Sequence, residues 1–175
     1  MKRFSRQAAL EVAALLRAHT AHCDEAIEFA IAGSVRRLKP EIGDLDLVVV
    51  TDAPAIVAAH LLAFPQISQV LCSGASKVSV ILQCGLQVDI RFCVKEAFGS
   101  MLAHCTGPME HNIAMRQLAK MLGFKLNEYG LFSGESRIAG LDEKSIYEAL
   151  RCDWIEPSDR GAFTRRHTIA PPQPL

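Results

Sequence analysis

None of the 175 residues forms part of an apolar run long enough to cross a bilayer, which excludes a membrane-spanning helix from this stretch. An excess of one charge is missing too: 19 Lys and Arg balance 19 Asp and Glu. That balance excludes coating of nucleic acid by bulk electrostatics, which rests on many phosphate contacts. A local basic face remains open. Lys2, Arg3, Arg6 and Arg17 oppose only Glu11 near the N-terminus, and Arg160, Arg165 and Arg166 cluster near the C-terminus, although both groups read equally well as solvated ends. The six cysteines, Cys23, Cys72, Cys84, Cys93, Cys105 and Cys152, contain no pair at zinc-ligand spacing. Several lie inside apolar runs, where a reduced Cys behaves as a small hydrophobe, and the expectation is a cytoplasmic chain. Internal repeats and low-complexity tracts are absent. The opening "MKRFSRQAALEVAALLRAHTAHC" has the basic-then-apolar order of a secretory signal, but Glu11 interrupts it. Leu10, Ala13, Ala14 and Leu16 fit an amphipathic helix, read here as the first helix of the fold.

What is present is a half-hydrophobic chain able to bury a core as one domain or two small subdomains. Periodicity predicts a helix over 7–19, a short strand within 25–33 ending in Gly-Ser, and a buried central strand over 45–51. Pro54 opens the next helix in the position proline favours. "VSVILQ" and "LQVDIRFCV" flank Cys84-Gly85 as a hairpin. From Glu96 the pattern is helical, with a second helix punctuated by Pro108 and Gly123. "FKLNEYGLF" and "RIAG" pair as short strands, "DEKSIYEALR" is a last helix, and the proline-rich tail from about 163 is expected to be flexible. The change to helical composition near 105 places a boundary there. The fold class expected is α+β: a mixed sheet with flanking helices over 1–104, then a small C-terminal subdomain over 105–175.

Chemistry concentrates in "AIAGSVRRLKPEIGDLDLVVV". Asp44 and Asp46 are two apart at the start of a strand, so both carboxylates project from one side of the sheet. Like charges that close are costly to ionise unless a cation sits between them. Asp89 lies in another strand, between Val88 and Ile90, which face the other way. If the two strands are neighbours, three carboxylates converge. Oxygen-only ligands suit a hard cation such as magnesium, and three carboxylates with room for two ions suit in-line phosphoryl displacement. Gly33 permits a tight turn that exposes N–H groups to an anion, and Ser34 is expected to cap the helical turn that follows. Arg36 or Arg37 would add positive charge to the same phosphates. Either motif alone recurs freely, but the ordered set G-S, D-x-D and a strand Asp is far more specific.

Those residues resemble the nucleotidyltransferase superfamily. "AGSVRRLKPEIGDLDLVV", "VDIRFCVKEAFGSMLAHCTGPMEHNIAMRQLA" and "GFKLNEYGLF" further resemble the catalytic region of family X DNA polymerases, the DNA polymerase beta group, from about Arg3 to Glu156. The resemblance implies a DNA-directed DNA polymerase that adds a nucleoside monophosphate from a dNTP to a DNA 3′-hydroxyl, in short-gap filling during repair. It implies two Mg2+ ions, with Mn2+ able to substitute, held by Asp44, Asp46 and Asp89, the last being nearest the primer 3′-hydroxyl. It places Gly33, Ser34, Arg37, Gly43 and Arg3 at the triphosphate, and the segment with His104, Cys105 and Gly107 against the sugar. It places Asn112 at the incoming base, and Arg116 and Lys120 toward DNA. The expected partners are a dNTP, with NTP as a second candidate, and primer–template or gapped DNA, bound by a monomer.

Three departures stand out. The family's Tyr-Phe before Thr-Gly is His104-Cys105, and its arginine two residues before the third aspartate is Gln87. The chain is also expected to lack the lyase-type domain, the helix-hairpin-helix DNA grip and a phosphoesterase domain, so a partner would supply the grip. Two rival readings are a nucleotidyltransferase acting on RNA, a protein or a small molecule, and a weakly active module that binds nucleotides or DNA ends. The intact aspartate triad opposes the second, and Asn112, Arg116 and "KLNEYGLF" oppose the first.

Overall fold

The computed structural model describes residues 2–160, and the tail from about 163 lies outside them. The N-terminal part is a five-stranded mixed sheet in the order β2-β4-β7-β6-β5. Its strands are β2 (Glu28–Ile31), β4 (Asp44–Val50), β5 (Ile67–Ser73), β6 (Lys77–Leu82) and β7 (Gln87–Cys93). β4 and β7 run parallel and every other neighbour is antiparallel. Helix α1 (Arg6–Thr20) starts at Ser5, whose side chain accepts from the Ala8 N–H, and helix α3 (Pro54–Leu62) starts on Pro54. Two short strands, β1 (Phe4–Ser5) and β3 (Glu41–Ile42), pair beside them, and α2 (Gly33–Arg36) follows β2. The edge strand β5 and the β1–β3 pair carry no expectation from periodicity. β5 is exposed along nearly its whole length, so no burial alternation marks it.

Strand alternation divides the core. Leu45, Leu47 and Val49 of β4, with Val88, Ile90 and Phe92 of β7, pack against Ala9, Ala13 and Leu16 of α1 and Val57 and Leu61 of α3. Val48, Val50 and Cys93 face the opposite side, toward Ala97 and Met101. Met101 belongs to α4 (Phe98–Thr106). Asp44, Asp46 and Asp89 share the parity of this second face and sit at the strand ends nearest the start of β4 and β7.

The C-terminal part packs α5 (Met109–Met121) and α6 (Glu143–Ala149) against the antiparallel sheet of β8 (Lys125–Asn127), β9 (Gly130–Ser133) and β10 (Ser136–Ala139). Its own core contains Met115, Leu118, Leu131, Ile146, Tyr147 and Leu150. α4 crosses residues 104 and 105, and its Gly99 lies so close to the Asp142 backbone that a Cβ would overlap it. The two parts also meet through an ion-pair chain: Arg36 contacts Glu143, whose other oxygen accepts from Arg160 Nη1 at 2.8 Å.

Candidate active site

Parallel pairing sets Asp46 directly across from Asp89. Asp44, Asp46 and Asp89 each offer an oxygen, and these atoms lie within 4.8 Å of one another. The expected convergence of three carboxylates is therefore present. Asp46 is pushed up to about 7, first by burial, then by Asp44 and Asp89, while Arg37 and Lys77 pull the other way. A carboxylate held in that state is poised to trade its proton for a cation. The donor set is hard oxygen throughout, which fits a divalent ion of the magnesium type.

The loop after β2 completes the wall. Gly33 has φ +58°, and a Cβ there would overlap the Asp46 carboxylate, so only glycine lets this backbone lie on the acidic cluster. The expectation that Ser34 caps the following turn is not met. Ala32 is the N-cap and Ser34 stands inside α2, because the helical turn begins one residue earlier, at Gly33. Ser34 Oγ is instead buried with no hydrogen-bond partner among the described residues, as is Arg37 Nε. Arg37 donates from Nη1 to the Thr106 carbonyl, and burial lowers its pKa against the pull of Asp46 and Asp44. Arg36 turns away, to Thr106 Oγ1 at 2.8 Å and to Glu143.

Opposite stands the end of α4 and the start of α5, and between the walls lies a cleft of about 440 Å³. Ser34, Arg37, Asp44, Asp46, His104, Cys105, Gly107, Asn112 and Arg116 all line it. Asn112 Nδ2 donates to the His104 carbonyl at 2.8 Å and Arg116 Nη2 donates to His104 Nδ1 at 3.0 Å, so both residues grip one histidine. Burial lowers the His104 pKa, with Arg116 and Arg91 acting in the same sense against Glu128. Burial also pushes the Cys105 thiol up to about 12, so it borders the cleft uncharged.

Other expected residues stand apart. Arg3 is exposed ahead of β1 and does not line the cleft. Gly43 joins β3 to β4 immediately before Asp44, and Lys120 is exposed on α5 one turn beyond Arg116. Arg160 is not part of a solvated basic end. It is fully buried, bound to Glu143 and the Ile155 carbonyl, and stacked near Trp154 at 5.1 Å. Arg165 and Arg166 lie outside the described residues. Three features carried no sequence expectation: the Glu143 bridge, the buried Tyr147–His111 hydrogen bond of 2.8 Å, and a set of β6 side chains on Asp89. Each depends on long-range pairing that no local motif announces.

Paired carboxylates beside a glycine–serine turn, on a mixed sheet with a cleft bordered by helices, form the arrangement that the resemblance to nucleotidyltransferases implies. Residues 101–161 match the DNA polymerase beta thumb family. The chain is 41% identical over 137 residues to the DNA polymerase/3′-5′ exonuclease PolX of Bacillus subtilis, covering 77% of this chain and 24% of that protein. It is 29% identical over 115 residues to the Repair DNA polymerase X of African swine fever virus, covering 61% of this chain and 64% of that protein. The crystal structure of Leishmania infantum polymerase beta superposes with a TM-score of 0.82 at 22% identity, over 91% of this chain and 77% of that one. The chain thus spans about a quarter of the Bacillus protein and under two thirds of the viral one. These matches make the chain similar to family X of the DNA polymerases over residues 101–161 and over the 137 residues it shares with the Bacillus protein. Among the described residues no helix is long and apolar enough to cross a membrane.

Proposed function

We propose that this chain transfers a nucleoside monophosphate from a dNTP to a DNA 3′-hydroxyl under template direction, in short-gap repair. The observation that carries the reading is the set of three carboxylates within 4.8 Å on the paired strands β4 and β7, walled by Gly33 and Ser34. In this reading residues 1–104 form the catalytic palm and the remainder selects the nucleotide. Asp44, Asp46 and Asp89 hold two divalent ions, Mg2+ or Mn2+, which when bound supply charge neutralisation and Lewis acidity for in-line displacement at phosphorus.

The protein's own residues do the rest. Asp89 lies across from Asp46 on the β7 side, where it would orient the 3′-hydroxyl and draw off its proton. Gly33 lets the backbone approach the triphosphate, and the buried Ser34 hydroxyl, lacking another partner among the described residues, donates to it. Arg37 adds a charged donor at the same wall. His104, Cys105 and Gly107 meet the sugar, Asn112 the base, and Arg116 with Lys120 the DNA, while Arg3 approaches the triphosphate only after a rearrangement of the N-terminus.

Primer extension on gapped, recessed and single-stranded DNA with Mg2+ tests this reading. Template-dependent addition that is lost in Asp89→Ala, with nucleotide binding retained, is the expected result. Equal loss of binding and transfer, or addition to an RNA or protein acceptor in preference to DNA, would overturn it.

A further inference from the structure

β6 lies on the side of β7 away from β4, so Asp89 is flanked by Asp46 on one strand and by β6 on the other. The antiparallel register places Ser79 directly opposite Asp89, and Lys77, two residues earlier, shares its face. Both reach the same oxygen: Ser79 Oγ donates to Asp89 Oδ1, and Lys77 Nζ stands 3.1 Å from it. Gln87 Nε2, on Asp89's own strand, is more remote, at 3.4 Å from Oδ1 and 3.3 Å from Oδ2. Oδ1 therefore has two short-range donors from β6, whereas Oδ2 has only a long amide contact among the described residues. The groups are largely covered, with side-chain exposures of 29% for Lys77 and 16% for Asp89. A pair so placed is screened less than a surface ion pair and its geometry is better held.

We propose that Lys77 and Ser79 are positioning residues for Asp89, holding Oδ1 from the β6 side so that Oδ2 is presented toward Asp44 and Asp46. The inference rests on the reading of Asp89 as a ligand in nucleotidyl transfer. It also answers the neutral residue at 87: the positive charge that Gln87 cannot give arrives from the neighbouring strand. Partners that orient a metal-binding carboxylate affect metal affinity or turnover by about 10- to 100-fold when removed. The two residues differ in what their loss reports. Ser79 only orients, so its removal weakens both ion binding and turnover. Lys77 orients but also repels a cation, so its removal is read in turnover.

The test compares wild type, Ser79→Ala, Lys77→Gln, Lys77→Gln/Gln87→Arg and Asp89→Ala, all checked for folding by circular dichroism and thermal midpoint. Mn2+ binding is followed by electron paramagnetic resonance, and single-nucleotide insertion supplies kcat and the separate KM values for dNTP and DNA. Ser79→Ala is expected to bind Mn2+ about tenfold more weakly and to lose about tenfold in kcat. Lys77→Gln is expected to lose a similar factor in kcat with the KM for dNTP within twofold. Arginine at 87, reaching Asp89 from 3.3–3.4 Å away in the present amide's place, should recover most of that loss. A merely structural lysine would not be rescued from another strand. If Lys77→Gln raises the KM for DNA and leaves kcat unchanged, Lys77 is a DNA contact and the inference fails. If Asp89→Ala is inactive while Ser79→Ala and Lys77→Gln match wild type, positioning alone fails. If Asp89→Ala itself retains wild-type turnover, the functional reading fails first.

Discussion

Replacing Asp46 by Asn should stabilise the protein in the absence of divalent cations. Carboxylate oxygens within 4.8 Å of one another repel by about 3 kcal/mol per pair at an effective dielectric constant of about 20. Independently, burial and the neighbouring Asp44 and Asp89 raise Asp46 from 3.8 to about 7, which corresponds to a ceiling of about 4 kcal/mol. The sign follows from proton uptake. Between those two values the folded state binds more protons at Asp46 than the unfolded chain, so wild-type stability falls as pH rises through this window and stays low above it. Asn keeps the shape that lies against Gly33 and removes the charge. Solvent at the cleft mouth screens part of the effect, so a gain of about 2 kcal/mol at pH 8 is expected, or a rise of about 4–8 °C in Tm. Urea unfolding in EDTA at pH 8 and pH 5 measures it, and the advantage should shrink at pH 5. Mg2+ should then stabilise wild type more than the variant, because an ion that binds only the folded state adds to its stability. An Asn variant no more stable than wild type at pH 8 in EDTA would refute the electrostatic account of the cluster.

Three further outcomes are expected. His111 is buried against Tyr147, and burial together with Arg160 lowers it from 6.5 to about 4, so stability held above pH 6.5 is lost as pH falls toward 4, by up to about 3 kcal/mol. His111→Gln should flatten that acid-side slope in urea midpoints. Glu143→Ala leaves the fully buried Arg160 and the half-buried Arg36 without their shared carboxylate, and should cost about 3–5 kcal/mol in chemical denaturation, whereas Lys95→Ala at the exposed pair with Glu28 should cost under about 1 kcal/mol. At the cleft, Cys105 is small and, among the described residues, His104 is engaged through its ring only at Nδ1, by Arg116, so discrimination against ribonucleotides should be weak. His104→Tyr/Cys105→Phe should restore one to two decades in the ratio of kcat/KM for dATP over ATP, about 1–3 kcal/mol, and an unchanged ratio would show that the side chains are not the gate.

How legible the site was depends on which contacts are local. The D-x-D pair projects to one side because strand alternation requires it, and the long apolar run of β4 announced a central strand. That Asp89 belongs with them was readable only given adjacency of the strands, which the sequence does not state. The β6 clamp was hidden by one residue of register. A two-residue turn at Cys84-Gly85 would set Val80 across from Asp89. The actual loop has Leu82 bonded to the Leu86 carbonyl, with Gly85 at φ +90°, and sets Ser79 there. The start of α2 was misjudged by a similar margin, since Ser is a good cap by composition but Gly33 had to take the first helical place against Asp46. Arg160 was misread because charge alone cannot distinguish a solvated arginine from one folded under an aromatic pair with a carboxylate.

The parallel pairing of β4 with β7 has a consequence for how the protein is made. Parallel neighbours need a long crossover, and here α3, β5 and β6 all intervene before Asp89 can reach its place beside Asp46. Joining the two strands closes a loop of roughly 40 residues, whose entropic cost must be met before the carboxylates face one another. A nascent chain that has emerged only through β4 therefore carries two of the three acids and the Gly33–Ser34 wall, but neither Asp89 nor the α4–α5 side of the cleft. The complete acidic triad comes into being with the last strand of the sheet, so cation capture accompanies completion of this layer rather than guiding its first steps.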